Sequence, residues 1–124
     1  MPTAETPAPL RDRLPIWTAG VGPRMARAAG RLADGLVCHP MTTSAYLDEV
    51  VRPALAGGAA DAERSLSGFV VKGMRMCAVD DDVEVARRRI AHAIAQYAAS
   101  RVYDRLFALH GWSANQQRIR DAAK

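Results

Sequence analysis

The segment Pro15–Pro40, PIWTAGVGPRMARAAGRLADGLVCHP, leaves few folds open. Ile16 to Ala19 is a short apolar run, too compact for a helix, and Gly20-Val21-Gly22-Pro23 breaks it. Glycine permits unusual backbone angles and close approach by a ligand. Proline suits the first turn of a helix, where its missing N–H would have had no partner. Met25, Ala28, Ala29 and Leu32 then recur at helical spacing, which predicts a helix over Pro23–Ala33 ended by Asp34-Gly35. Strands are expected over Leu14–Ala19 and Leu36–His39. Strand, helix and strand in this order make a βαβ unit, so the two strands should be parallel. The helix start, with its free N–H groups and positive dipole end, is of the kind that binds anions, usually phosphate. The same glycines could simply make a tight βα turn.

The remainder reads as further βα units. Thr43 or Ser44 can cap a helix whose apolar stripe is Leu47, Val50, Val51, Ala54 and Leu55. Pro53 should bend or shorten it, and Gly57-Gly58 should end it. Asp61 to Gly68 is a polar connection. Phe69–Val79 is expected as a third strand, with Gly73 at a bulge or close backbone contact and with Met74 and Met76 on one side, filling the core. Asp81 and Glu84 have capping-box spacing, so the Asp80–Asp82 run is read as helix capping and not as a metal site. Val83, Ala86, Ile90, Ile94 and Tyr97 give the next apolar stripe, and Glu84 with Arg88 forms an i, i+4 pair. Ser100–Leu109 is expected as a short helix, while Asn115–Lys124 is polar without an assigned element.

At 124 residues the chain is one domain at most, and 49% hydrophobic content is ordinary for a globular protein. The net charge of +4 comes from dispersed arginines, apart from Arg87, Arg88 and Arg89. That pattern is a solvated helix surface; nucleic-acid binding usually shows a concentrated basic patch. Cys38 and Cys77 fall in separate expected strands, form no CxxC pair and are read as buried, reduced thiols. Neither a signal-type apolar segment nor a run of about 18 apolar residues is seen, so a cytoplasmic protein without a membrane span is expected.

PIWTAGVGPRM (Pro15–Met25), LADGLVCHP (Leu32–Pro40), YLDEVVRPAL (Tyr46–Leu55) and DDDVEVARRRI (Asp80–Ile90) together resemble the luciferase-like monooxygenase family, particularly its deazaflavin (coenzyme F-420) oxidoreductases. LHGW (Leu109–Trp112) is similar to one subgroup. The likeness covers nearly everything after Leu14. It implies α/β architecture corresponding to the last three units of a TIM (β/α)8 barrel, an incomplete barrel, since a whole one needs about 250 residues. The implied organisation is a disordered tail over 1–13, a partial barrel domain over 14–112 and a polar tail over 113–124.

The resemblance further implies that Gly20, Val21 and Gly22 hold the phosphate of coenzyme F-420 or FMN, with Gly35 and Leu36 helping. It puts His39 on the active-site face, where it could touch a flavin or substrate, or equally bond a loop carbonyl. His92 reads as surface, His110 has no visible partner, and Trp17 and Trp112 read as packing residues. The family's early strands, which surround the redox ring and a small organic substrate, have no counterpart here, so no catalytic acid or base can be assigned and the chain alone is expected to be inactive. The alternative is a noncatalytic remnant or interaction protein. Open sheet edges would favour self-association in either case.

Overall fold

Three parallel strands, β1 (Trp17–Gly20), β2 (Gly35–Cys38) and β3 (Val70–Gly73), lie side by side in that order in the computed structural model, which describes residues 12–123. Trp17 pairs with Gly35 and Gly35 with Val70 at one end; Gly20 pairs with Cys38 and Cys38 with Gly73 at the other. The expected parallel βα architecture is therefore present, as an open three-stranded sheet covered by helices. The tail expected over 1–13 lies outside the described residues except for Asp12 and Arg13.

β1 begins at Trp17, later than the expected Leu14. The reason is Asp34, whose carboxylate accepts the Ile16 N–H at 2.8 Å and pairs with Arg13 at 2.7 Å. Its own N–H donates to the Ile16 carbonyl at 2.7 Å, and its carbonyl accepts the Val70 N–H at 3.2 Å. One residue thus fastens the N-terminal ends of all three strands. The helix before it, α1 (Pro23–Leu32), ends with Ala33 in an extended conformation, not with a left-handed glycine; Gly35 already belongs to β2.

The Thr43 hydroxyl caps α2 (Ser44–Tyr46) by accepting the Tyr46 N–H at 3.1 Å. The helix then widens into a π turn over Leu47–Val51 before α3 (Arg52–Asp61), and the Arg52 N–H reaches back five residues to the Leu47 carbonyl. A proline inside a regular helix removes a hydrogen bond and clashes with the preceding turn. Here the wider turn lies directly before Pro53 and the helix continues through it, neither broken nor shortened. Gly57-Gly58 does not end the helix either. Gly58 lies against the Arg27 backbone carbonyl and Gly30 of α1 against the Leu55 backbone carbonyl, each so close that a Cβ would overlap the oxygen. Ala26, Ala29, Leu55 and Ala59 are buried at this crossing. Arg27 also reaches Asp61 at 2.7 Å.

β3 is short. Of the expected strand Phe69–Val79, only Val70–Gly73 pairs with a neighbour, and residues 74–82 run as irregular chain. Met74 is 51% exposed, so it does not fill the core, and Cys77 is exposed, unlike the buried Cys38. Asp82, not Asp81, caps α4 (Val83–Ala98), its carboxylate accepting the N–H groups of Glu84 and Val85 at 2.8 and 3.4 Å. Asp80 accepts the Asp82 N–H and pairs with Arg89. Glu84 pairs with Arg87, one residue earlier than expected. The apolar face of α4 is largely uncovered: Val83 is 60% exposed and only Ala98 is fully buried.

A 3-10 turn (Arg101–Tyr103) and α5 (Asp104–Leu109) occupy the expected short helix. The segment read as a polar tail contains α6 (Ser113–Ala122). Gln116 is its buried anchor, donating to the carbonyls of Ala98 and Ser100 at 3.0 and 3.4 Å, and Arg120 donates to the Ala99 carbonyl and pairs with Asp104. Polar side chains that bind the end of another helix carry no apolar period, which is why the sequence pattern does not announce them. Tyr103, Leu106 and Phe107 join Leu36, Cys38, Tyr46, Val50 and Leu55 in one core.

The paired glycines of α3 give a contrast. Gly58→Ala forces a methyl into backbone and is expected to cost about 1–3 kcal/mol, the usual range for overpacking, despite alanine's better helix propensity. A methyl at Gly57 meets only the Arg27 guanidinium, the far end of a long side chain. Gly57→Ala is expected to be neutral or to stabilise by up to about 1 kcal/mol. Urea denaturation of both variants checks this; equal midpoints would contradict the close-crossing account.

Candidate functional site

The C-terminal ends of the strands carry the features of interest. β1 runs into the turn Val21-Gly22, and Gly22 is the N-cap of α1, in extended conformation (φ −95°, ψ 167°), with Pro23 next. No side chain caps this helix start. The first-turn amides therefore remain available to an outside acceptor, and the helix dipole favours a negative one. A cavity of about 280 Å³ opens beside the turn, walled by Gly20, Val21, Val37, Cys38, His39 and Met74 among others.

The site glycines differ in what packing asks of them. A Cβ on Gly20 would lie 2.5 Å from the Met25 Cβ, so Gly20 is needed for α1 to fold back onto β1. A Cβ on Gly35 would lie 2.8 Å from both the Trp17 ring and the Val70 carbonyl oxygen. At Gly22 a Cβ would meet nothing within 4 Å. The structure brings Gly20, Val21 and Gly22 together. It does not bring Gly35 and Leu36 to them: Gly35 pairs with Trp17, three residues below Gly20, about 10 Å along the strand. Leu36 is 1% exposed and belongs to the core between sheet and helices.

His39 follows β2 and does wall the cavity, but both of its nitrogens are engaged. Nδ1 accepts the Met41 N–H at 3.3 Å, and Nε2 lies 3.1 Å from the Tyr103 hydroxyl. Its partners are thus an amide and a phenol, not the loop carbonyl expected. Tyr97 meets the ring edge-on at a centroid distance of 4.6 Å. Burial pushes the His39 pKa down, favouring neutral imidazole. Burial pushes the Cys38 thiol up, with Arg75 and Arg52 opposing, so it is a poor thiolate. The Tyr103 phenol is pushed up by burial and then by Tyr97.

The other histidines divide. His92 is exposed on α4 and contacts Gln96 at 3.2 Å. His110 does have partners: its Nε2 lies 2.8 Å from the Thr43 hydroxyl and its ring stacks on Trp112 at 4.4 Å. Trp17 packs across the sheet with the Lys72 ammonium 4.1 Å from its ring centroid. Residue-by-residue reading missed Tyr97 and Tyr103 as neighbours of His39. Tyr103 was findable, since with Leu106 and Phe107 it forms an i, i+3, i+4 apolar set. Among the described residues, no group of three or more His, Cys, Asp or Glu side chains could hold a metal ion, and no helix is long and apolar enough to cross a membrane.

Comparison with known proteins bears on what such a site serves. Residues 2–124 match the family model for luciferase-like monooxygenases. An uncharacterized protein of Mycobacterium tuberculosis is 38% identical over 111 residues, 86% of this chain and 33% of that protein. The F420-dependent glucose-6-phosphate dehydrogenase of the same organism is 34% identical over 73 residues, 59% of this chain and 22% of the enzyme. The coenzyme F420 dependent tetrahydromethanopterin reductase of Methanopyrus kandleri superposes with a TM-score of 0.63 at 24% identity, over 82% of this chain and 28% of the reductase, a likeness of fold. The chain therefore spans about a third or less of these relatives' length. With a glycine turn opening a helix at the C-terminal end of a parallel sheet and a family match over nearly its whole length, the chain belongs to the luciferase-like monooxygenase family.

Proposed function

We propose that this chain supplies the phosphate end of the cofactor site in a luciferase-like, flavin- or deazaflavin-dependent oxidoreductase. The observation that carries this reading is the uncapped start of α1, where Gly22 leaves the backbone open for reasons that packing does not supply. An oxyanion suits that arrangement: amides and a helix dipole converge on a space without a side chain. Phosphate groups in TIM barrels commonly lie at late βα loops and helix N-termini. Backbone N–H groups around Val21, Gly22 and the first turn of α1 would donate. Gly35 and Leu36 act only by fixing β2.

When bound, the coenzyme would supply hydride transfer or oxygen activation, and the protein would position it. Between coenzyme F-420 and FMN, the names of the related dehydrogenases and of the reductase favour the deazaflavin. The substrate would come from the chemistry of the complete enzyme. The second reading, a noncatalytic interaction protein, draws on uncovered apolar surface: Leu14, Val79 and Val83 are 73%, 90% and 60% exposed. Among the described residues both readings share two open sheet edges, at β1 and β3, and open edges pair with other chains.

Three measurements follow. In fluorescence titrations of the chain with coenzyme F-420 and with FMN, Gly22→Val is expected to weaken binding at least tenfold while keeping the wild-type far-UV spectrum and denaturation midpoint. Gly20→Ala is the contrasting variant, expected to lose about 1–3 kcal/mol of stability because its methyl meets Met25. Unchanged affinity in Gly22→Val would remove Gly22 from the site. In a turnover assay, residues 1–124 with FMN and NADH, or with reduced deazaflavin, are expected to show no substrate-dependent cofactor oxidation above the free-cofactor rate. A misplacement of about 1 Å can cost on the order of a hundredfold, and a phosphate grip alone does not orient a redox ring. Turnover abolished by Gly22→Val would show that the chain builds a working site by itself. In sedimentation velocity the chain is expected above monomer mass with rising concentration; a well-folded, strictly monomeric species would count against open-edge pairing.

A further inference from the structure

We draw no further inference here: the strongest candidate, the apolar groove of about 610 Å³ between residues 78–80 and the face of α4 that carries Val83, Ile90 and Ile94, is an unpartnered helix face, and nothing in the structure shows what covers it.

Discussion

The reciprocal glycine contact between α1 and α3 is the constraint on which the rest of this structure depends. At Gly30 and Gly58 each helix presents bare backbone to a carbonyl of the other, so the main chains themselves set the separation. α1 follows β1 and α3 follows β2, so fixing the two helices also fixes the two strands they come from. The π turn is best understood from this anchor. With Gly58 held against Arg27, the helix must present Tyr46, Val50, Val51 and Leu55 to the core and still pass Pro53. One extra residue in the turn before the proline meets both demands. A wide turn of this kind commonly reflects such a local conflict.

The two ends of the sheet are fastened by different chemistry. At the N-terminal end Asp34 ties all three strands through its carboxylate and its backbone. Two of its bonds are main chain to main chain and do not depend on a charge. At the C-terminal end the polar groups are a glycine turn and an imidazole bonded to an amide and a phenol. Those are groups that can exchange partners. Placing the adjustable chemistry at one end of a parallel sheet and the fixed chemistry at the other is the general division of labour in βα folds.

How much of this was legible in the sequence follows from the same physics. Glycine, proline and apolar spacing between Pro15 and Pro40 are short-range signals, and they lead to β1, α1 and β2 within a few residues. The third strand was overextended because FVVKGMRMCAV has strand composition throughout, whereas pairing stops at Gly73, the partner of the last residue of β2. Gly57-Gly58 looked like a helix end because a glycine pair is an ordinary breaker; only the approach of α1 turns it into a packing feature. Local pattern also could not reveal that Gln116 and Arg120 dock α6 onto the end of α4, or that His39 and Tyr103 meet across 64 residues. Of the candidate residues, Gly20, Val21 and Gly22 lie together at the turn into α1, a local signal that the sequence carries, while the placement of Gly35 and Leu36 at the opposite end and in the interior of β2 depends on strand register.

The glycines of the βαβ unit show why such a motif should be taken apart before function is assigned to it. Gly20 is required by the Met25 side chain and Gly35 by the Trp17 ring. Either would be glycine in a protein that bound nothing. Gly22 has neither requirement, since its φ is one that any residue adopts and the space beside it is empty of protein. A residue with a side chain there would cap the helix better if it were serine, threonine or aspartate. With glycine at the N-cap the helix start forgoes only roughly a few tenths of a kcal/mol against those residues. An outside acceptor would give those amides the partner they lack, so in the function proposed above the weight of this turn rests on Gly22 and the start of α1 more than on the glycine-rich motif as a whole.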